Sequence, residues 1–552
     1  MGINSLGRLA VYSLTLMREG SSRRAARTRS TLKLIALLAG ALLPCAAAWA
    51  QTQAPDPATG LAMLDVVRRT LALNTNIHLQ QQQIEAAGGR LQQASGQFDT
   101  VLGATVSTGV DRTPLSDRDQ ASNGNVVDKS INETQSVGVN ANKQFRSGIS
   151  IGPSATITRS QNNINSMFFG DAPQNRNQVN FQITVPLQRG LGVEATGANE
   201  RAAAIALDAT KADLRHTVAQ SVFNSVTQYW SYLAAANNLE IARRAEGSVN
   251  RLVEEVQKLI GADELPAAEL NLVRANAADK AAQRAAAEQA LVDARSALGR
   301  AIGLNAAQTA ALPLPATGFP AVEEEILRIS QEVDRLHQQA LIRRADFASA
   351  RTREESALAL VAGARNQLKP QLDLNLAVGY STLREGSRLQ DFRLGLDQNL
   401  TGPNATVTLR YLFPPANNTA AGILLQQSAA YDQATINARD LRNSILINVQ
   451  TVAEALRHGA EQLRLAEASV RLYETTVSNE EVKRRLAVAT LIDVINVGDR
   501  LLNALLNRNS QYFTYANNLA RLRFETGTIV EPSPAGPEHY AVDLSTLTTV
   551  PH

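Results

Sequence analysis

Two very long helical segments constrain the fold of this 552-residue chain more than any other feature. Uninterrupted helical patterns cover residues 199–258 and 420–485. At 1.5 Å per residue, each would reach roughly 90 to 100 Å. Such lengths do not fit inside a globular domain and are typical of coiled coils. After a brief break, a second helical segment follows each of them, at residues 267–302 and 491–524, so the sequence predicts two pairs of long antiparallel helices.

The same succession of patterns occurs twice, with an offset of about 270 residues, which is the mark of an internal repeat. Each copy begins with a helical segment rich in Ala, Gln and Arg, at residues 61–97 and 323–368. We therefore predict a first structural repeat over residues 51–315 and a second over 316–529, followed by a flexible tail over 530–552. The aligned residues include Asn76 with Asp346, Leu102 with Leu372, and Gly109 with Gly379.

Alternating polar and apolar residues predict β-strands of about ten residues, the length that a tilted membrane strand needs. No unbroken apolar run of 18 residues follows residue 50, so a membrane-spanning form of this chain would have to be a closed β-barrel. Two strands per repeat cannot close a barrel, and their edges would have to be satisfied by oligomerisation. The predicted strands are 99–111 and 177–187 in the first repeat, and 370–383 and 404–413 in the second.

The first repeat contains two further alternating segments, at residues 134–145 and 148–160. They predict an additional hairpin over 134–160. Two arrangements are open at this point: the hairpin either enlarges the barrel or folds against it.

Residues 1–50 are interpreted as a signal peptide, with a basic leader, an apolar stretch over 34–48 and a small-residue cleavage site ending at Ala50. Arg23 and Arg24 leave twin-arginine export as an alternative, and Met17 is an alternative start. The leader has seven basic residues and one acidic residue, so its removal changes the formal net charge from +3 to −3. Nothing in this balance predicts a nucleic-acid partner.

Cys45 is the only cysteine and lies within the leader. It follows Pro44 rather than a small residue, and lipid anchoring at Cys45 is therefore only the alternative interpretation. The mature chain has no thiol for a disulfide, a metal site or a nucleophile.

No catalytic motif is present: the sequence has no G-x-x-x-x-G-K, H-E-x-x-H or G-x-S-x-G pattern, and its histidines are scattered singly. Acidic residues at positions 111, 117 and 119 are interpreted as a solvated loop face rather than a cation site. We predict that the protein is not an enzyme and has no cofactor and no metal site.

The chain resembles the TolC-like outer-membrane efflux proteins (outer membrane factors). In both, a strand, a loop, a second strand and two long helices occur twice after a signal peptide. Four segments carry the resemblance locally: "VPLQRGLG" (185–192), "FPPANNTAAG" (413–422), "ATLIDVINVGDRLLNA" (489–504) and "LARLRFETGTI" (519–529). The similarity covers nearly the whole mature chain.

The resemblance implies a mixed fold, in which a β-barrel continues into a coiled-coil barrel of long α-helices. It implies a homotrimeric channel with its barrel in the lipid of the cell outer membrane and a helical tunnel in the periplasm. The family acts as the passive exit duct of tripartite efflux or type I secretion systems, with a periplasmic adaptor (membrane fusion) protein and an inner-membrane pump. Adaptor contacts are expected at the helix tips, residues 258–266 and 482–490. The alternative is a periplasmic coiled-coil scaffold without a pore, and neither the cargo nor the pump class follows from the sequence.

Asp493 lies in an apolar run near the second tip. One interpretation is a capping box, in which Thr490 and Asp493 close the start of the returning helix. In the first repeat, Pro266 suits the first turn of the returning helix and Glu269 follows three residues later. On a helical wheel Asp493 begins a polar stripe that would face the lumen of a tunnel. The stripe consists of Asn496, Arg500, Asn503, Asn507 and Gln511.

The second interpretation of Asp493 comes from the resemblance. In the family, an aspartate at this position forms a ring at the periplasmic mouth of the tunnel, where three like charges favour a bound cation or a raised pKa. This chain has Asn496 where a second acidic residue is expected and Ala489 where a basic residue is expected. Arg484 and Arg485 are the candidate substitute tethers for this periplasmic gate.

Overall fold

The structure is a computed structural model, and it describes residues 60–168, 170, 172–388, 402–486, 488–532, 540–543 and 547–551. The predictions for the leader, including export, the start at Met17 and lipidation at Cys45, lie outside the described residues, as does much of the predicted tail. No helix in the described part of the chain is both long and apolar enough to span a membrane.

Both halves of the chain have the same order of elements, except for two additional strands and several short helices. The first half contains α1 (Met63–Leu73), α2 (Thr75–Ser95), a 3₁₀ turn (Gly96–Phe98), β1 (Thr100–Pro114), α3 (Asp117–Ser122), β2 (Lys129–Gln144), β3 (Ser150–Asn162), α4 (Asn163–Phe168), β4 (Gln174–Pro186), α5 (Val193–Thr196), α6 (Ala198–Gly261), α7 (Glu269–Ile302) and α8 (Ala306–Ala310). The second half contains a 3₁₀ helix (Glu324–Gln331), α9 (Val333–Arg343), α10 (Ala345–Gln367), β5 (Gln371–Glu385), β6 (Gly402–Leu412), α11 (Asn418–Arg485), α12 (Leu491–Glu525) and the short strands β7 (Glu531–Pro532) and β8 (Tyr540–Ala541).

The long helices begin and end within three residues of their predicted bounds. α6 has 64 residues and α11 has 68, which correspond to about 96 and 102 Å. α6 packs against α7, α10 and α12, and α11 packs against α10 and α12. Small residues bring the helices close together: a Cβ atom added to Gly363 of α10 would lie 2.6 Å from the Cβ of Ala198 at the start of α6. Glycine and alanine at this contact therefore let α10 lie close against α6.

The predicted helical segments 61–97 and 323–368 are not continuous, because each is broken at an equivalent joint. Asn74 separates α1 from α2 and Arg344 separates α9 from α10, each with an extended backbone. Asn74 Oδ1 accepts hydrogen bonds from the backbone N–H groups of Asn76 and Ile77, at 2.9 and 3.3 Å, and so caps α2.

A glycine at the end of a long helix packs onto each joint. Gly303 follows α7 with φ +94°, and Gly527 follows α12 with φ +69°. A Cβ atom would lie 2.4 Å from the carbonyl oxygen of Leu73 at the first position, and 2.9 Å from the carbonyl carbon of Arg343 at the second. Only glycine combines the positive φ with this close approach. The two joints, 270 residues apart, thus share an extended residue and a closely packed glycine.

Two buried clusters lie beside these joints. The first is centred on Trp230, whose ring lies 5.3 Å from that of Tyr229. The Tyr229 hydroxyl donates to the carbonyl oxygen of Leu61 at 3.0 Å. The second cluster joins Leu456 of α11 to Tyr515 of α12. These clusters hold the short helices of both halves against the long ones.

Six strands form one antiparallel sheet in the order β1-β2-β3-β4-β5-β6. Their bounds lie within five residues of the predicted ones. The additional hairpin is part of this sheet: β2 pairs with β1, and β3 pairs with β4. Of the two arrangements left open by the sequence, the structure therefore has the one in which the hairpin enlarges the sheet.

The register gives the sheet one apolar and one polar face, because side chains alternate along each strand. On the apolar face, Ala155 of β3 lies between Val139 and Val179, and Leu376 of β5 lies between Ile183 and Val407. The apolar face reaches both edge strands, where Val106 of β1 is 80% exposed and Val407 of β6 is 71% exposed. The polar face has mainly Ser, Thr, Asn, Gln and Gly.

Candidate functional site at the helix tips

The tips of the two long hairpins pack against each other. The buried residues here are Val256 of α6, Val273 of α7 and Leu491 of α12. Partly buried apolar residues from the same helices, including Ile260 and Ile495, complete the cluster. The tips of the two halves consequently form one packed unit.

Asp493 and Thr490 make both hydrogen bonds of the predicted capping box. The Thr490 backbone N–H donates to Asp493 Oδ2 at 3.0 Å, and the Asp493 N–H donates to Thr490 Oγ1 at 3.3 Å. The Thr490 hydroxyl also donates to Oδ2, at 2.6 Å. Asp493 therefore satisfies backbone donors at the start of α12 that would otherwise lack partners.

The hydrogen bonds from the Thr490 hydroxyl and backbone N–H lower the pKa of Asp493 below its usual value. The side chain is exposed and ionised at neutral pH. The convergence of three such carboxylates would act in the opposite direction, by repulsion between like charges. Within one chain, Asp493 is a capping carboxylate exposed to solvent.

The first tip differs from the prediction. α7 begins at Glu269, and its N-cap residue, Ala268, has no side-chain hydrogen bond to the helix. Pro266 lies before the helix, where its carbonyl oxygen accepts from the Glu269 N–H in a turn, at 3.1 Å. The reason is that residues 267 and 268 form a turn after Pro266, so the returning helix starts later than its sequence suggests.

The predicted polar stripe is an exposed face of α12. Asp493, Asn496, Arg500, Asn503 and Asn507 are exposed, and Gln511 is partly exposed. Gln511 Nε2 donates to Asn507 Oδ1 at 3.4 Å. Ile492, an apolar residue outside the stripe, is 49% exposed.

Two ion pairs join the halves near the tips. An Arg484 guanidinium nitrogen lies 2.7 Å from Glu255 Oε1 and links α11 to α6. Lys280 Nζ lies 2.6 Å from Asp499 Oδ1 and links α7 to α12. Arg484, one of the two candidate tethers, thus joins the two halves, and its role in a gate stays a prediction. Arg485 is exposed, and the described part of the chain gives it no partner.

Sequence reasoning missed Glu255, Lys280 and Asp499, since nothing in the sequence pairs residues on different helices. It also missed Asn509, a buried residue of α12 whose Nδ2 donates to the carbonyl oxygen of Ala234 at 2.8 Å. An asparagine within an otherwise apolar helical face was the available signal. Among the described residues, no group of three or more His, Cys, Asp and Glu side chains could hold a metal ion.

No protein-family model matches the sequence, and no curated protein matches it significantly. Solved structures do match. The Campylobacter jejuni CmeC outer membrane channel has a TM-score of 0.61 at 15% identity, over 84% of this chain and 85% of that one. The outer membrane protein VceC of Vibrio cholerae has a TM-score of 0.61 at 17% identity, over 84% and 96%. The open state of the Neisseria gonorrhoeae MtrE outer membrane channel has a TM-score of 0.55 at 14% identity, over 84% and 88%. The chain has the fold of these outer membrane channels, and the resemblance to the TolC-like fold is confirmed.

Proposed function

We propose that this chain forms an outer-membrane exit duct, a passive homotrimeric channel that carries solutes from the periplasm to the exterior. One observation carries the proposal. A sheet with one apolar and one polar face is joined to helices of about 100 Å, in a fold shared with outer membrane channels. Residues 51–315 and 316–529 are proposed as two diverged repeats, each with its joint, strands and helix pair.

The apolar face of the sheet approaches the height of an outer-membrane apolar band. On β5 it extends from Leu372 to Tyr380, nine residues or about 27 Å along the strand, which is about 21 Å of height at a tilt of about 40°. The apolar band of outer-membrane proteins is about 25 Å tall and is bordered by aromatic residues at both interfaces. Tyr411 pairs with Leu372 at one end of this band, and Tyr380 lies at the other end. This pattern supports a sheet that faces lipid.

The edges of the sheet support assembly with further copies of the chain. β1 and β6 each pair with one strand only among the described residues. Six strands are fewer than the eight of the smallest barrels. Both edges keep the two-faced pattern, so another copy can continue the sheet without a break in either face. We propose three copies, which would also bring the helix pairs together around a common periplasmic tunnel.

The tips are the proposed contact for a periplasmic adaptor protein, itself attached to an inner-membrane pump. Leu486 and Val488 are 69% and 75% exposed at the second tip. Together with the exposed Val482 and Ile492, they form an apolar surface larger than single scattered residues would give. The sequence contains no nucleotide-binding motif, so we assign the energy source to the pump.

The tip is also the proposed periplasmic gate. Three copies of Asp493 at the mouth of the tunnel would narrow it electrostatically. The Arg484–Glu255 and Lys280–Asp499 ion pairs would hold the tip in its packed form. The polar stripe from Asn496 to Gln511 would then line the tunnel.

Fractionation and conductance test the proposal. The full-length chain, expressed with its leader, should fractionate with the outer membrane. It should migrate differently in gels before and after heating and form pores in planar bilayers. Recovery in the soluble periplasmic fraction, with no heat-dependent migration and no conductance, would instead support the periplasmic coiled-coil scaffold.

A further inference from the structure

We propose that the β2–β3 hairpin widens the outer pore, so that three chains form an 18-stranded wall with room for bulky, uncharged polar solutes. This inference rests on the proposed function. It concerns what the pore admits rather than whether the chain forms one.

The hairpin is built into the wall of the sheet. β2 pairs with β1 over 15 residue pairs, from Thr100 and Lys143 to Pro114 and Lys129. β3 pairs with β4 over 11 pairs. Apolar residues continue across these pairings, from Val139 to Ala155 and on to Val179. A flap lying against the sheet would have no such register on both of its strands.

The second half of the chain shows that the hairpin is an addition. There, α10 is followed by β5 and β6 and then directly by the long helix α11. In the first half, β1 and β4 hold the corresponding places, and β2 and β3 are inserted between them. A hairpin adds one strand in each direction, so β1 and β4 keep the antiparallel directions that β5 and β6 have. The addition therefore enlarges the wall without reversing the helices.

Two extra strands per chain change the size of the pore. For strands about 4.8 Å apart and tilted about 40°, an 18-stranded barrel has a backbone diameter of about 36 Å. Twelve strands, the number without the hairpin, would give about 24 Å by the same relation. The larger value falls in the range of porins, which leave an open aqueous channel.

The lumen side of the hairpin has small, uncharged side chains. Ser136, Gly138 and Asn140 lie on the polar face of β2, and Ser154 and Thr156 lie opposite on β3. Small residues keep the added diameter open rather than filling it. On the polar face of the described strands, charged residues lie only towards the ends, as with the cross-strand pair Asp373 and Arg410. The central wall therefore offers hydrogen bonds without charge, which suits neutral hydrophilic solutes.

A pair of adjacent cysteine variants tests whether the hairpin is part of the wall. Ser154→Cys would face the lumen and Ala155→Cys would face lipid. Purified trimers in liposomes are treated with a charged, membrane-impermeant thiol reagent, and the protein without an added cysteine serves as the background. We expect Ser154→Cys to react at least tenfold faster than Ala155→Cys. Equal rates at the two positions would overturn the proposal.

Deletion of residues 129–162 tests the pore size. Polyethylene glycols of increasing size are added to the barrel side of channels in planar bilayers. The largest polymer that enters is then identified from the change in conductance. We expect the size limit to fall by about one third in diameter, in the ratio of 12 to 18 strands. The probe enters from the outer side, so the helix tips do not determine the result.

The outcomes separate the two proposals. An intact channel with the same polymer limit in the parent and the deletion variant overturns the widening alone. The absence of any channel in the parent protein overturns the proposed function and the widening with it. If the deletion variant does not fold, the cysteine pair decides, since it leaves all six strands in place.

Discussion

Lys280 and Asp499 form an ion pair that joins the two halves of the chain, with Nζ and Oδ1 2.6 Å apart. The Lys280 side chain is only 8% exposed, so its charge depends on the partner carboxylate for compensation. We predict that Asp499→Asn destabilises the tip by roughly 1–2 kcal/mol, a value reduced because Asp499 is partly solvated. Lys280→Met, which removes the buried charge, should cost less. Hydrogen exchange of the backbone amides of α12 measures the stability of the tip in both variants. A larger loss of stability in Lys280→Met than in Asp499→Asn would contradict this prediction.

Substitutions of Asp493 and Thr490 distinguish a gating role of Asp493 from its capping role. If three carboxylates narrow the mouth, Asp493→Ala and Asp493→Asn should raise single-channel conductance and abolish sensitivity to divalent cations. Thr490→Ala breaks the same capping box but keeps the carboxylate, so its conductance should remain close to that of the parent. Unchanged conductance and unchanged cation sensitivity in Asp493→Ala would rule out the gate. Equal increases in all three variants would assign the effect to fraying of α12.

Leu376 and Ala377 are neighbours on opposite faces of β5, and they form a matched pair for the orientation of the sheet. If the apolar face meets lipid as proposed, Leu376→Arg would place a charge in the middle of that face, where the expected cost is about 2–4 kcal/mol. Ala377→Arg would place the same charge on the polar face, where water surrounds it. We predict that only Leu376→Arg lowers folding yield and thermal stability in vesicles. The reverse order would mean that the assigned faces are wrong.

The glycines at the two joints should not tolerate a side chain. Gly303→Ala and Gly527→Ala each combine a positive φ with a steric clash against the joint. We expect each to lower the free energy of unfolding by more than about 1 kcal/mol. Gly247→Ala is the control, since a Cβ there meets nothing within 4 Å inside α6. The control should be neutral or stabilise by up to about 1 kcal/mol. Thermal unfolding of purified protein measures all three.

Asp346 should make the second joint sensitive to acid. Burial alone would raise the pKa of Asp346, but the hydrogen bonds and charge of Arg344 outweigh it and lower the pKa. Because the pKa is lower in the folded state, the stabilisation is complete above the unfolded value of about 3.9 and is lost as the pH falls through the folded value. We predict a loss of thermal stability below about pH 4 that is weaker in Asp346→Asn. Identical pH profiles would contradict the assignment.

Much of the fold follows from periodicity. The alternation of polar and apolar residues located six strands, because a sheet with one apolar and one polar face needs that alternation in every strand. The long helices followed from uninterrupted helical patterns, and Thr490 with Asp493 followed from a local motif.

Other features depend on the three-dimensional arrangement. The joint at Asn74 was missed because Gly303, which packs against it, is distant in sequence and no local pattern pairs the two. The Lys280–Asp499 pair joins residues far apart in sequence, and no periodicity specifies which helix faces meet. The placement of the additional hairpin likewise depended on pairing partners, which alternation alone does not identify.

The two joints have equivalent positions in the two halves of the chain, but different side-chain interactions stabilise them. At the first, Asn74 is neutral, and its Nδ2 donates to the carbonyl oxygen of Ala301 at 2.8 Å. At the second, Arg344 lies between Asp346 and Glu525, and His216 is 3.9 Å from Asp346. Ion pairs therefore stabilise the second joint, whereas the amide of Asn74 stabilises the first through neutral hydrogen bonds. A change in acidity that alters the charge of Asp346 would act on the second joint through these ion pairs, a route that the uncharged Asn74 does not provide.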